Sequence, residues 1–434
     1  MTVSHPVGPG DTRTRIVVLG AGFAGAYCAS ELSRRLGARA DILVLDAHNY
    51  FVFYPLLVEA GSGSLEPRHA VVPIRDFLGR GVRFRLGEVL DLDTSAQTVG
   101  YRIVGEQARR TARYDHLVVA LGSVTAFPEI PGLRENAWQV KSLGDAVALR
   151  DQMVQLMERA NVAESLEERR RLLRFVVVGA SFTGVEVAGE FHHFLHEGVH
   201  SYRNLKEEDV DVMLLDRGPR ILAPLSESLA RYAQQRLEKR GIRVLTGRTI
   251  RSAESRTVTM DDGTIVQADT LIWCGGISQN PRARSLPLPG DARGFIKCNV
   301  DGRVEGFQNI WAIGDGAINP RPKGGTYPAT AQAAIRLGAR AGANIARAIA
   351  GRATRPINFR DVGSLCALGG RDGVAQVFGL QIAGFAAWWL WRSVYLMKMP
   401  GLGRKFRVAL DWTVDLFFHR DIVQLGLRRK GNGE

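Results

Sequence analysis

One short pattern occurs twice in this chain, and it restricts the fold more than any other feature. Ile16-Val-Val-Leu19 is an apolar run suited to a strand buried on both faces. Gly20-Ala-Gly22-Phe-Ala-Gly25 follows, then helical periodicity to Leu36, then a second apolar run, Ile42 to Leu45, ending in Asp46. The order recurs with Phe175 to Val178, Gly179-Ala-Ser181-Phe-Thr-Gly184, a helix from Val185, and Val212 to Leu215 ending in Asp216. Strand, Gly-rich turn, helix, strand and acid is the pattern of a dinucleotide-binding unit. Two copies predict an α/β chain with two Rossmann-like domains.

Each residue of the turn has a physical task. Gly20 permits the tight turn, and Gly22 lets the backbone approach a pyrophosphate held at a helix N-terminus. Gly25 allows close contact between helix and strand. Asp46 stands 21 residues after Gly25, where a carboxylate accepts hydrogen bonds from ribose hydroxyls. In the second copy Gly179 and Gly184 keep their places, and Ser181 stands where the middle glycine would be, small enough for close backbone approach. Asp216 favours a free 2′-hydroxyl over a 2′-phosphate, hence NADH over NADPH, with Arg217 and Arg220 close enough to contact phosphate. The strand Leu117 to Leu121 is closed by Gly122. Ile310 to Ile313 leads into Gly314-Asp315-Gly316, where Asp315 is placed to accept from the ribityl hydroxyls of a flavin. A long small-residue helix is predicted from Pro328 to Ala350, its positive end toward the flavin ring.

Composition excludes several classes. The four cysteines, Cys28, Cys274, Cys298 and Cys366, are scattered without a CxxC pair, which disfavours zinc ribbons, thioredoxin-like motifs and secreted disulfide scaffolds. A reducing compartment fits. No metal site is expected: His192, His193, His196 and His200 read as a solvated helix face. No run of 18 apolar residues is present, so no transmembrane helix is expected. The net charge of +13 calls for an anionic partner: nucleic acid, anionic lipid or a phosphate-bearing cofactor.

With these motifs in place the chain resembles the type II NADH:quinone oxidoreductases, single-subunit enzymes that do not pump protons. The resemblance runs from about Arg15 to Gly426 and rests on several segments. They are Val17-Val-Leu-Gly-Ala-Gly-Phe-Ala-Gly25, Asn49-Tyr-Phe-Val-Phe-Tyr-Pro-Leu-Leu57, Val119-Ala-Leu-Gly-Ser123 and Ile130-Pro-Gly-Leu133. Thr183-Gly-Val-Glu-Val-Ala-Gly-Glu190, Ile313-Gly-Asp-Gly316, Pro328-Ala-Thr-Ala-Gln332 and a Trp-rich tail complete it. It implies noncovalent FAD in a discontinuous domain (15–145 and 285–355) and NADH as substrate in a nested domain (146–284). It further implies hydride transfer to the flavin and electrons passed to a membrane quinone; a homodimer is expected separately, because the apolar tail can equally bury against a second copy. Glu186 matches a family glutamate near the flavin and nicotinamide, a candidate for positioning or proton relay. Gln332 matches a glutamine at the flavin–quinone junction. One turn later, where the family usually has a second glutamine, this chain has Arg336, which would put a cation in the quinone pocket.

The third region, 356–434, is expected to dock on an anionic membrane. Phe385, Trp388, Trp389, Trp391 and Tyr395 form an apolar segment too short to span. A second helical pattern puts Phe406, Leu410, Val414 and Phe417 on one side and Arg407, Asp411 and Asp415 in a polar row on another. Arg392, Lys398, Arg404, Lys405, Arg420, Arg428, Arg429 and Lys430 surround them. Tryptophan and tyrosine favour the headgroup boundary, and basic residues favour anionic lipid. The expected location is peripheral, on the cytoplasmic face of the cell membrane. Two other readings stay open. One is a soluble NAD(P)H-dependent FAD reductase with a different small-molecule or protein acceptor, which Arg336 permits. The other is a basic, nucleotide-regulated nucleic-acid-binding protein, disfavoured because the aromatic and basic residues gather in the tail instead of lining a groove.

Overall fold

A computed structural model describes residues 13–426. The expected basic residues Arg428, Arg429 and Lys430 lie outside the described residues. The chain forms two compact units. The first comprises residues up to Phe51, Val72–Val124 and Ile277–Asp361; the second comprises Val52–Val71, Thr125–Gly276 and the chain from Val362.

The first unit is built on a seven-stranded sheet. Its order is Ile310–Ala312, His116–Val119, Thr14–Leu19, Ala40–Asp46, Arg83–Asp93, Thr98–Ile103 and Arg109–Arg113. The first five strands run parallel, and the last two are added antiparallel. The parallel strands are almost wholly apolar because both faces are covered: Ile16, Val18, Leu19 and Leu45 are all buried. The small-residue helix is present at Ala331–Ile349, shorter at its start than the sequence pattern suggested. Pro328 lies outside it because the Thr330 hydroxyl caps the helix by accepting from the Ala333 amide at 3.2 Å. Its glycines serve helix–helix contact: a Cβ at Gly338 would overlap the Ala24 carbonyl, and one at Gly342 would crowd the Cys28 carbonyl at 2.9 Å. The face of small residues therefore lets this helix lie directly on Phe23–Leu36.

The second unit carries a five-stranded parallel sheet, in the order Ala137–Trp138, Thr270–Trp273, Arg174–Val178, Asp211–Asp216 and Arg243–Thr246. The helix Phe182–Val199 buries Val185, Val187, Phe191, Phe194 and Leu195 in the main core of this unit. An antiparallel sheet, Gly363–Gly369, Asp372–Val377 and Leu380–Ala383, leads into two helices, Phe385–Lys398 and Leu402–Phe417. Gly189 and Gly369 make this junction possible, since a Cβ on either would overlap the other segment's backbone. Among the described residues no helix is long and apolar enough to cross a membrane.

Candidate functional site

Both predicted turns form, and they share one hydrogen-bond pattern. In the first, Gly20 has φ +92° and donates its N–H to the Leu45 carbonyl at 2.8 Å. Asp46 accepts the Ala21 amide at 2.6 Å through one carboxylate oxygen and the His48 amide at 2.8 Å through the other. In the second, Gly179 has φ +102° and donates to Leu215 at 2.8 Å. Asp216 accepts the Ala180 and Gly218 amides, each at 2.6 Å. Only glycine holds these positive φ values without strain. The third glycine of each turn has a steric cause, because a Cβ at Gly25 or Gly184 would overlap the carbonyl of Gly20 or Gly179.

The middle position behaves differently. A Cβ at Gly22 would meet no protein atom within 4 Å. Gly22 is also the N-cap of Phe23–Leu36, and no side chain caps the first amides of that helix. Ser181 holds the same place before Phe182–Val199, again without a side-chain cap. Each helix thus presents bare N–H groups beside a small, open residue, which is the donor set that a pyrophosphate takes. Arg220 donates to the carbonyls of Ala223 and Leu225 at 2.8 and 3.0 Å, so it braces its own loop, whereas Arg217 is exposed.

Elsewhere in the first unit, Gly122 has φ +68°, and a Cβ at Gly316 would crowd its carbonyl at 2.8 Å. Ser123 donates through its hydroxyl to Asp315 at 3.4 Å. Gln332 and Arg336 occupy successive turns of Ala331–Ile349, both half-buried. The Arg336 guanidinium bonds the Arg360 carbonyl and lies 5.4 Å from the centre of the Phe359 ring, which stacks on Tyr327 at 4.1 Å. It is therefore an anchored cation.

In the second unit Glu186 accepts the Ala367 amide at 3.3 Å. Burial pushes its carboxyl up to about 8, with Glu59 and Glu190 adding to the shift and the Ala367 and Trp391 donors opposing it. Cys366, beside Ala367, is fully buried, and that burial drives its thiol well above the ordinary range. All four cysteines are free.

A cluster that sequence reasoning missed surrounds Glu59. Trp412 donates its indole N–H to Glu59 at 2.7 Å. Arg392 lies 3.6 Å from Glu59 and 3.3 Å from Asp415. Arg420 pairs with Glu190 at 2.8 Å and Asp415 at 3.1 Å. Arg392 is 7 % exposed and sits over the rings of Trp388 and Trp412, at 4.3 and 4.8 Å from their centres. Trp391 is 2 % exposed. These findings correct the expected surface role of Trp388, Trp391, Arg392 and Arg420. Two members of the polar row turn inward as well, Asp411 bonding His69 at 2.5 Å and Asp415 pairing with Arg392 and Arg420, while Arg407 stays exposed. The exposed side is the other one: Phe385, Trp389 (59 %), Phe406 (71 %), Leu410, Val414 and Phe417 (78 %). Of the four histidines one departs from the expected solvated face, while His200 is exposed and His193 and His196 are half-buried. His192 is buried, stacks on His196 at 3.9 Å, and is pushed down to about 3 by burial. Among the described residues no group of three or more candidate ligands is placed to hold a metal ion.

Comparison with known proteins fits this geometry. The pyridine nucleotide-disulphide oxidoreductase profile matches residues 14–338, and the NDH2 C-terminal domain profile matches residues 362–421. The type II NADH:quinone oxidoreductase of Staphylococcus aureus (strain NCTC 8325 / PS 47) is 30% identical over 404 residues, covering 91% of this chain and 98% of the relative. The chain belongs to the type II NADH:quinone oxidoreductase family. The demethylphylloquinone reductase NdbB of Synechocystis is also 30% identical, over 93% of this chain and 96% of that protein. The structure of NDH2 from Plasmodium falciparum in complex with NADH matches 95% of this chain and 100% of that one, with TM-score 0.86 and 19% identity, which establishes the shared fold. As a type II oxidoreductase-family chain it is an α/β flavoprotein of the disulfide-reductase-like class, closed by the family's own C-terminal domain.

Proposed function

We propose that this protein is an FAD-dependent NADH:quinone oxidoreductase that does not pump protons. The observation that carries the reading is the pair of equivalent turns, each with a carboxylate braced on the turn's own amides and an uncapped helix N-terminus. The first turn fits the pyrophosphate of FAD, since Gly22 leaves open space where Gly20 and Gly25 leave none. Asp46 is held to receive the ribose and Asp315 the ribityl chain. The second turn fits NADH, with Asp216 fixed for a free 2′-hydroxyl. When bound, the flavin supplies the two-electron chemistry between nicotinamide and quinone.

The chain's own residues do the rest. Glu186, holding its proton more tightly than an ordinary carboxyl, supplies or takes up protons near neutral pH. Gln332 faces the quinone step, and Arg336 adds a cation whose direction is set by Phe359 and Arg360. The exposed apolar side of the two C-terminal helices docks on the cytoplasmic face of a membrane with anionic lipid, where a quinone is reached without crossing water. A homodimer shares this region, since an apolar patch of this size is otherwise costly in water. The test is whether NADH bleaches the yellow purified protein and a quinone restores the colour. Release of FAD on denaturation identifies the cofactor, and sedimentation with anionic vesicles at low salt tests docking.

A further inference from the structure

The two guanidinium groups of the Glu59 cluster face three buried or nearly buried carboxyls: Glu59, Glu190 and Asp415. The groups around Glu59 come from every element against it. Its own helix, Leu57–Ser62, contributes Ser62, which donates to Glu190 at 3.2 Å. Phe182–Val199 brings Glu186 and Glu190, with Glu197 and His193 (3.4 Å apart) toward the surface. The helix Leu143–Asn161 brings Arg150, whose guanidinium borders Gly63. Phe385–Lys398 brings Arg392 and Tyr395; Leu402–Phe417 brings Trp412, Asp415 and the His69-bound Asp411. Three negative charges against two positive ones, out of water, leave one carboxyl better off neutral. Arg420 draws Glu190 below the usual range against the cost of burial. At Glu59 burial prevails, and that carboxyl rises to about 7. Among the described residues Arg392 Nε and Arg420 Nη1 are buried donors without a protein acceptor, the kind of group that holds ordered water in a polar interior.

We propose that Glu59 carries the exchangeable proton of this buried cluster and acts as the proton store behind Glu186 during quinone reduction. The proposal rests on the oxidoreductase reading above. The overall step is NADH + H⁺ + quinone → NAD⁺ + quinol. The hydride brings two electrons and one hydrogen, and the second hydrogen of the quinol comes from solution. That proton is held on Glu59, passes through Glu186, and is replaced from solvent at the Glu197 side of the cluster. Glu59 acts through Glu186 and does not touch substrate.

Ferricyanide separates this role from a structural one, because it takes electrons and no protons. With NADH as donor, Glu59→Gln is expected to slow turnover with a short-chain quinone about tenfold or more. The alkaline fall of the wild-type pH profile near about pH 7 disappears, and ferricyanide reduction is retained. Glu59→Asp restores the profile. Unchanged quinone turnover and pH profile in Glu59→Gln would overturn the proposal, as would equal loss with both acceptors. If Glu59→Gln does not fold, Trp412→Phe takes its place: losing a donor to the charged carboxyl moves the alkaline limb upward, and an unmoved limb overturns the proposal. A wild type that reduces ferricyanide but no quinone would remove the oxidoreductase reading and this proposal together. A wild type that reduces quinone with a Glu59→Gln variant identical to it would remove this proposal alone.

Discussion

Trp412 donates its indole N–H to Glu59 at 2.7 Å across 353 residues of sequence, and both side chains are buried. The bond ties the last helix of the C-terminal region to the short helix Leu57–Ser62. With Arg392 between the Trp388 and Trp412 rings, it makes the inner side of that region a core. Only the outer side is left for a bilayer.

The burial of Glu59 has a stability consequence that this bond opposes. Burial raises Glu59 to about 7, so the folded chain holds a proton that the unfolded chain releases near the ordinary glutamate value. The stability belonging to that proton is complete below the unfolded value and is lost as pH rises through about 7. Glu59→Gln carries no such dependence. Relative to wild type it should gain roughly 1–3 kcal/mol between about pH 5 and pH 8. Denaturant unfolding at the two pH values measures the gain; a constant difference would contradict it.

The turn glycines separate folding from cofactor retention. Gly25→Ala forces a Cβ into the Gly20 carbonyl, so the protein should be recovered unfolded or markedly destabilised. Gly22→Ala meets no protein atom and should leave the unfolding midpoint of the cofactor-stripped protein within about 0.5 kcal/mol of wild type. It should still lose FAD, read as the ratio of flavin to protein absorbance after gel filtration. Full FAD occupancy in Gly22→Ala would remove the pyrophosphate from this turn.

Asp216 offers a test of nucleotide choice. Asp216→Asn keeps one of the two acceptor oxygens that the turn uses and removes the charge that repels a 2′-phosphate. The ratio of kcat/KM for NADH to that for NADPH should fall about tenfold, or about 1.4 kcal/mol. An unchanged ratio would assign the preference elsewhere, with exposed Arg217 the first place to look.

Both Gly-rich turns were legible in the sequence because backbone geometry at Gly20, Gly25, Gly179 and Gly184 admits almost no other residue. The helix Ala331–Ile349 was legible for a related reason, since its small residues answer a neighbouring backbone. The Glu59 cluster was not. Arg392 and Arg420 lie among aromatics at helical spacing, and that pattern describes a membrane-facing surface as well as a buried ion network. The carboxyls deciding between them, Glu59 and Glu190, stand far away in sequence. One signal was present: Asp411 and Asp415 recur at i, i+4 on the side away from Phe406 and Phe417, where anionic lipid would repel them.

The outer side makes its own prediction. Phe406→Ser and Phe417→Ser remove exposed apolar surface without touching the core, so unfolding should shift by no more than about 0.5 kcal/mol. Sedimentation with anionic vesicles should fall by about tenfold for the double variant, at roughly 25 cal/mol per Å² withdrawn from the bilayer. Undiminished binding would move the docking surface elsewhere.

The central claim is that electrons pass from NADH through a bound flavin to a quinone. Anaerobic stopped-flow absorbance at the flavin band tests it most directly. Stoichiometric NADH should bleach the band, and a quinone added in a second mix should restore it, with one quinol formed per NADH. A flavin that NADH leaves oxidised, or a reduced flavin that quinone cannot reoxidise, would contradict the account.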